Sequence, residues 1–370
     1  MAKEIIADYT SGKISSQLLR FSVPFMLSNG LQVLYSLVDM IVVGKYVGSE
    51  GLSAVSTASQ IFTFMTMLAL GFSNAGQVLI SQYIGKNERN KIGSVISTLF
   101  VIITAFSVLM SAVGCLFGRQ VLSLLNTPAE AFEYAWDYTL VCSIGIFFSY
   151  GYNMVAAVFR GMGDSKHPFV FVLIASLINV VLDVYFIRNL GWGTMGAALA
   201  TIIGQAFSFV VALVFLVVRR NRLGFEANRA TLRPSAESAR LLVKLGIPYA
   251  SQSCAVNLSM MFVNSLVNDV SVAASAVFGV GVKVDDIVNK VTQGIAFASS
   301  SMCAQNIAAD NKKRTIKISV TTGAYCAVLY TIFAILLVTS HEKIYGIFTD
   351  DPAVIAVSYT HLTLPTMAVV

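Results

Sequence analysis

The run PFVFVLIASLINVVLDVYFIR, residues 168–188, decides the architecture. Its length suits one bilayer crossing, which takes about 20 residues as an α-helix. Yet it holds Asn179 and Asp183, spaced four apart and therefore on one helix face. An ionised carboxylate in such a run costs about 3 kcal/mol or more to keep in lipid. Within a spanning segment, an acid is read first as functional.

Similar runs recur along the chain. The predicted spans are 17–43, 53–84, 93–117, 135–158, 168–188, 194–218, 243–268, 273–307 and 316–340, with a weaker tenth from about 353. Gly, Pro and charge clusters separate them. Of the 370 residues, 56% are hydrophobic and only 12% charged, with a mean hydropathy of +0.74. Soluble domains average about 25% charged residues. The fold class is therefore an all-α polytopic membrane protein.

The charges give an orientation. With the N-terminus inside, nineteen Lys and Arg fall on inner segments and four on outer ones. That follows the positive-inside rule and predicts a cytoplasmic N-terminus. It also accounts for the net charge of +6 without a nucleic acid. A polybasic lipid-binding patch at 219–244 is a compatible addition. The polar opening MAKEIIADYTSGKISSQLLR shows no cleavable signal pattern. The five cysteines stand singly and the three histidines far apart, so no zinc site or redox pair is expected.

Two stretches echo one another. GFSNAGQVLISQYIGKNERNK begins at Gly71 and GIAFASSSMCAQNIAADNKKR at Gly294, each with Gln eleven residues on, Gln82 and Gln305. LLRFSVP, ending at Pro24, likewise resembles LVKLGIP, ending at Pro248. Six predicted helices separate the copies, so both run the same way through the membrane, as a parallel repeat. The domains are read as a first lobe over 1–218, a linker over 219–242 and a second lobe over 243–370. The second lobe is expected to be incomplete, with about ten helices in all and a foreign tail after about residue 355.

Three predicted helices of the first lobe place oxygen groups at one depth. Asp39 lies about five residues from the outer end of helix 1 and Asp183 about five from that of helix 5, each roughly 7 Å below the boundary. Thr201, in helix 6, lies roughly 10 Å down. Two neighbouring carboxylates favour sharing one proton. Carboxylate, amide and hydroxyl oxygens are hard donors, suited to H⁺ or Na⁺. The plainer reading is that each acid bonds within a buried interhelix contact, and that Asn179 and Thr201 are ordinary interhelix hydrogen bonders. Pro24, in the same helix as Asp39, removes a backbone hydrogen bond and marks either a gate or a static kink. In helix 8, Lys283, Asp286 and Lys290 fall at pairing distances. They line the second lobe's cavity or form a neutralised structural pair.

These residues resemble the multidrug and toxic compound extrusion (MATE) family. The likeness rests on Pro24 with Asp39, FRGMGDSKHPF at 159–169 followed by NVVLD at 179–183, GAALAT at 196–201, and the paired Gln82 and Gln305 segments. The resemblance implies twelve helices in two six-helix lobes and export of organic cations in exchange for Na⁺ or H⁺. It implies that Asp39, Asn179, Asp183 and Thr201 match the cation-site positions. Pro24 would gate, and Tyr35, Asn153, Lys283 and Asp286 are candidate cavity-lining residues, with Phe147, Phe148, Tyr150 and Tyr152 as further aromatic candidates. It also implies a bacterial plasma-membrane protein that works as a monomer, without cofactor or resident metal beyond Na⁺ at Asp39/Asp183. Where some members add a glutamate in helix 7, IPYASQSCAVNLSMMF has no acid. Two rivals remain. A lipid-linked oligosaccharide flippase of the same superfamily would want basic residues in the cavity. An intramembrane aspartyl protease is suggested only by GMGD at 161–164, whose Asp164 falls in a loop.

Overall fold

The computed structural model describes residues 6–220, 232–268 and 272–340, and not the side chains of Leu68 in α2 and of some residues in α7 and α8, Lys283 among them. The predicted tenth helix, from about 353, lies outside the described residues. In chain order the helices are α1 (Ile14–Tyr46), α2 (Ser49–Gly85), α3 (Ile92–Leu124), α4 (Ala129–Gly161), α5 (Lys166–Asp183), α6 (Gly193–Val218), α7 (Ala236–Asn268), α8 (Val272–Ala308) and α9 (Lys312–Thr339). Strands are absent among the described residues. Seven helices, α1 to α6 and α9, are long and apolar enough to cross a membrane.

The predicted spans lie within these helices or within a few residues of their ends, and the helices run longer because amphipathic turns extend past the apolar runs. α7 begins at Ala236, ahead of the predicted 243. There the Ser235 hydroxyl accepts from the Ser238 amide at 3.0 Å and satisfies one of the first-turn N–H groups. The internal repeat is visible as matched helices. α1 and α7 are both 33 residues long with a proline inside, and α2 and α8 are both 37.

In the first lobe α4 is the axis, touching α2, α3 and α6. Its apolar window is 72% buried, while that of α9 is 0% buried. Lipid offers no hydrophobic drive to bring helices together, and small residues let them approach: a Cβ on Gly145 or Gly151 of α4 would overlap Ile202 or Phe209 of α6. α1 is shared between lobes. Its first half, with Leu18, Phe21 and Phe25, packs with Ile295, Ala298 and Met302 of α8. Its last turns, with Val42 and Val43, pack with Ala58 of α2, Tyr138 of α4 and Ala197 of α6.

The lobes meet most closely toward the end that carries the N-terminus. A Cβ on Gly71 would lie 3.0 Å from the Ala250 amide nitrogen, and one on Gly85 would overlap the Gln305 carbonyl. Toward the opposite end, Leu34 and Ile41 of α1 and Val256 and Phe262 of α7 are exposed. The close approaches between the lobes thus gather toward the basic end.

Candidate functional site

α5 packs against both α1 and α6, which brings the three oxygen-bearing helices side by side. α6 comes in closely because Gly204 offers no side chain. A Cβ there would lie 3.3 Å from the Ala175 carbonyl oxygen and 3.5 Å from Asn179 Cβ. Thr201, one turn earlier on α6, therefore sits beside Asn179.

Between these helices lies a small cleft that opens to solvent. Gln32 and Tyr35 of α1, Tyr152 of α4, Ser176 and Asn179 of α5, and Thr201, Gln205 and Ser208 of α6 line it. One turn beyond Tyr35 comes Asp39, and one turn beyond Asn179 comes Asp183. The two acids lie behind the cleft wall, 6% and 0% exposed. Each is within electrostatic reach of the other and of Tyr35 and Tyr138.

Their hydrogen bonding is incomplete. Both carboxylate oxygens of Asp183, Oδ1 of Asp39, and Oδ1 and Nδ2 of Asn179 are buried without a partner among the described residues. Buried polar groups are nearly always paired, so five such atoms clustered on two facing helices mark a site that takes a ligand. Oxygen is the chemistry on offer, and it suits a proton, Na⁺ or water. The plainer alternative, acids satisfied within an interhelix contact, finds no partner for these atoms among the described residues.

Immediately after Asp183 the helix widens. Val184–Asn189 is a π-turn, marked by the Leu190 amide donating to the Tyr185 carbonyl at 3.2 Å. Such turns are frequent at functional sites because they re-aim the residues beside them. The sequence carried no sign of it.

Other predicted residues fall elsewhere. Pro24 lies in the part of α1 packed on α8, and its carbonyl accepts from the Ser28 hydroxyl at 2.9 Å. Asn153 turns its amide back to the Ser149 carbonyl, 2.9 Å away, and does not line the cleft. Asp286 is exposed on α8, also away from the cleft. The side chain of Lys283 lies outside the described residues. Among the aromatic candidates, Tyr35 and Tyr152 reach the cleft. Tyr150 is fully buried and donates to the Met65 carbonyl, and Phe147 packs edge-on against Phe209 at 5.6 Å. Gln32, Ser176, Gln205 and Ser208 were missed. The spacing Thr201, Gln205, Ser208 was a legible polar stripe on one helix face.

Asp164 has a local task. Its Oδ1 accepts from the Lys166 and His167 amides at 3.1 and 3.3 Å, and its Oδ2 meets the His167 ring. It caps α5, which is a structural role for the aspartate of the protease-like string.

The model of the MatE family matches residues 24–185 and 248–369. The chain belongs to the MatE family. Its two matched blocks begin at Pro24 and Pro248, the prolines of the internal repeat. Among curated relatives, the "Probable multidrug resistance protein YpnP" of Bacillus subtilis (strain 168) is 34% identical over 307 residues, 83% of this chain and 68% of that one. Among solved structures, a MOP superfamily transporter from Pyrococcus furiosus superposes with a TM-score of 0.90 at 22% identity, covering 96% of this chain and 79% of that one. It is described by a reversed polarity of its binding pocket. An outward-facing multidrug resistance MATE family transporter gives 0.88 at 22% identity, covering 95% and 78%. MatE proteins are multidrug efflux transporters of the membrane, and this chain has their fold.

Proposed function

We propose that this MatE protein exports cationic amphipathic molecules in exchange for Na⁺ or H⁺ by alternating access, with its basic end in the cytoplasm. The observation that carries this reading is the cluster of partnerless atoms on Asp39, Asn179 and Asp183, set behind a cleft lined by Tyr35, Tyr152 and Thr201. Cargo would lie against the cleft's aromatic and amide groups, where a ring face favours a cation. The coupling ion would enter between Asp39 and Asp183 and neutralise them. Ion and cargo then weaken each other's binding, by reciprocal linkage. A lipid-linked pyrophosphate cargo fits less well, because the described lining of the cleft is neutral with acids behind it and holds no Lys or Arg.

The test is efflux of a fluorescent organic cation from vesicles bearing the protein, with the sodium and proton gradients collapsed separately. Efflux should stop with one of the two and be lost in Asp39→Asn and Asp183→Asn. Efflux that persists in both variants would refute the reading. Binding of a lipid pyrophosphate in preference to the dye would favour the flippase instead.

A further inference from the structure

The basic end of the inter-lobe seam holds a second buried polar cluster, which the ion site does not use. Arg160, on α4, is 6% exposed. Its Nε donates to Oε1 of Gln77 on α2 at 2.7 Å. Its guanidinium lies 4.3 Å from the ring centroid of Phe297, on α8 of the other lobe. Gln77 in turn donates to the Phe297 carbonyl and the Ser301 hydroxyl, both at 2.9 Å. The Ser301 hydroxyl donates to the Arg160 carbonyl at 2.9 Å. Gln77 and Ser301 are 1% and 0% exposed.

Beneath this cluster the segment Ala7–Gly12 runs as a strap between the lobes. The Tyr9 amide donates to Gln305 Oε1 at 2.9 Å, and Asn306 donates to the Tyr9 carbonyl at 3.0 Å. Arg314 donates to the Gly12 and Ser11 carbonyls at 2.7 and 2.8 Å. On the first lobe, the Ala7 amide donates to the Met162 carbonyl at 3.2 Å and the Tyr9 hydroxyl to the Gly163 carbonyl at 3.0 Å.

We infer that Gln77, Arg160 and Ser301, fastened by the Ala7–Gly12 strap, are the positioning residues that hold the basic face of the transporter shut. The chemistry suits a gate more than a permanent joint. Arg160 is a buried cation whose described contacts are a neutral amide in its own lobe and, across the seam, the Phe297 ring and the Ser301 hydroxyl on its carbonyl, and its Nη2 has no partner among the described residues. Breaking a buried ion pair leaves two uncompensated charges. Breaking this contact exposes neutral groups to water and lets the guanidinium hydrate, so opening recovers what closing desolvates. The closed gate also places an uncancelled positive charge between the cleft and the basic face, which opposes return of a cationic cargo.

This inference rests on the alternating-access reading, and its test reads the gate directly. Spin labels at Lys86→Cys and Lys312→Cys, exposed positions on the two lobes, are placed in a background with the five native cysteines replaced, in nanodiscs. The parent chain should show one short distance. Arg160→Ala should add a longer population, with the closed-to-open ratio falling about tenfold, and Arg160→Lys should restore part of it. Ser301→Ala and deletion of residues 1–12 should each give the longer population in a protein that still folds. Asp39→Asn, which disables the ion site, should leave these openings in place. If Ser301→Ala and the strap deletion both keep the parent's single distance while folded, the inference is overturned, whether or not Arg160→Ala folds.

Discussion

Asp183→Asn separates an ion site from a buried structural acid. The substitution keeps the shape of the side chain and removes its charge. In the native chain, five buried atoms on Asp39, Asn179 and Asp183 have no partner among the described residues. An unsatisfied buried polar atom costs about 1–3 kcal/mol, so the cluster holds on the order of 5–15 kcal/mol that a ligand can recover. Linkage sets how much appears in an experiment. An ion at a hundred times its dissociation constant stabilises the folded state by about 2.7 kcal/mol. The assay is thermal unfolding in detergent, with Na⁺ titrated at fixed pH and pH titrated without Na⁺. One of the two series should move the native chain and leave Asp183→Asn flat. Without the coupling ion the variant should unfold no earlier than the native chain, because an unpartnered acid has become an amide. Equal Na⁺ and pH responses in both proteins would refute the ion site. An early-melting variant with no ligand response would show that Asp183 is structural.

Asp164→Ala should lower the folded stability by about 1 kcal/mol through loss of the α5 cap, with Asp164→Asn recovering most of it, as read from melting temperatures. Gly85→Ala should destabilise by about 1–3 kcal/mol, because the added methyl overlaps the Gln305 carbonyl, while Gly44→Ala, with open space around it, should not. Gly30→Ala meets no atom within 4 Å and should stiffen α1 by about 1 kcal/mol; slower efflux at an unchanged or higher melting temperature would show that α1 bends there. The Asp8 carboxyl is held below its usual 3.8 first by the Thr10 hydroxyl and amide, with Arg314 attraction adding to it. A lowered value means that its contribution to the strap is present above 3.8 and lost as pH falls below it, so hydrogen exchange at Ala7–Gly12 should be flat near neutrality and quicken only in acid.

Much of this architecture was legible because lipid simplifies the code. Every spanning segment must satisfy its own backbone, so apolar length alone marks a helix. The prolines at 24 and 248 and the glutamines at 82 and 305 likewise revealed the repeat. Asp39, Asn179 and Asp183 could be singled out because acids and amides stand out against an apolar background, and helix depth follows from counting. The packing partners could not be read this way. Gln32, Ser176, Gln205 and Ser208 are common residues whose importance comes from facing a shared cleft. The π-turn after Asp183 has no residue signature, and the strap is made of backbone carbonyls that only the folded lobes bring within reach of Arg314 and Asn306.

The shared helix α1 ties the two clusters together. Residues 18–29 belong by packing to the second lobe, with Asn29 donating to the Lys290 carbonyl at 2.7 Å. Residues 39–43 belong to the first lobe, where Val42 and Val43 pack, and include Asp39. Between them lies a stretch, Gly30 to Val38, that includes exposed Leu34, Ser36 and Leu37 and has no buried residue. Pro24 lies inside the anchored part, so a hinge there must strip α1 from α8, whereas a hinge at Gly30 leaves both anchored ends in place. Asp39 and the seam residues of α1 thus lie on one continuous helix. Under the proposed function, an ion at Asp39 and a gate at the basic end would act on the same helix, with no separate relay.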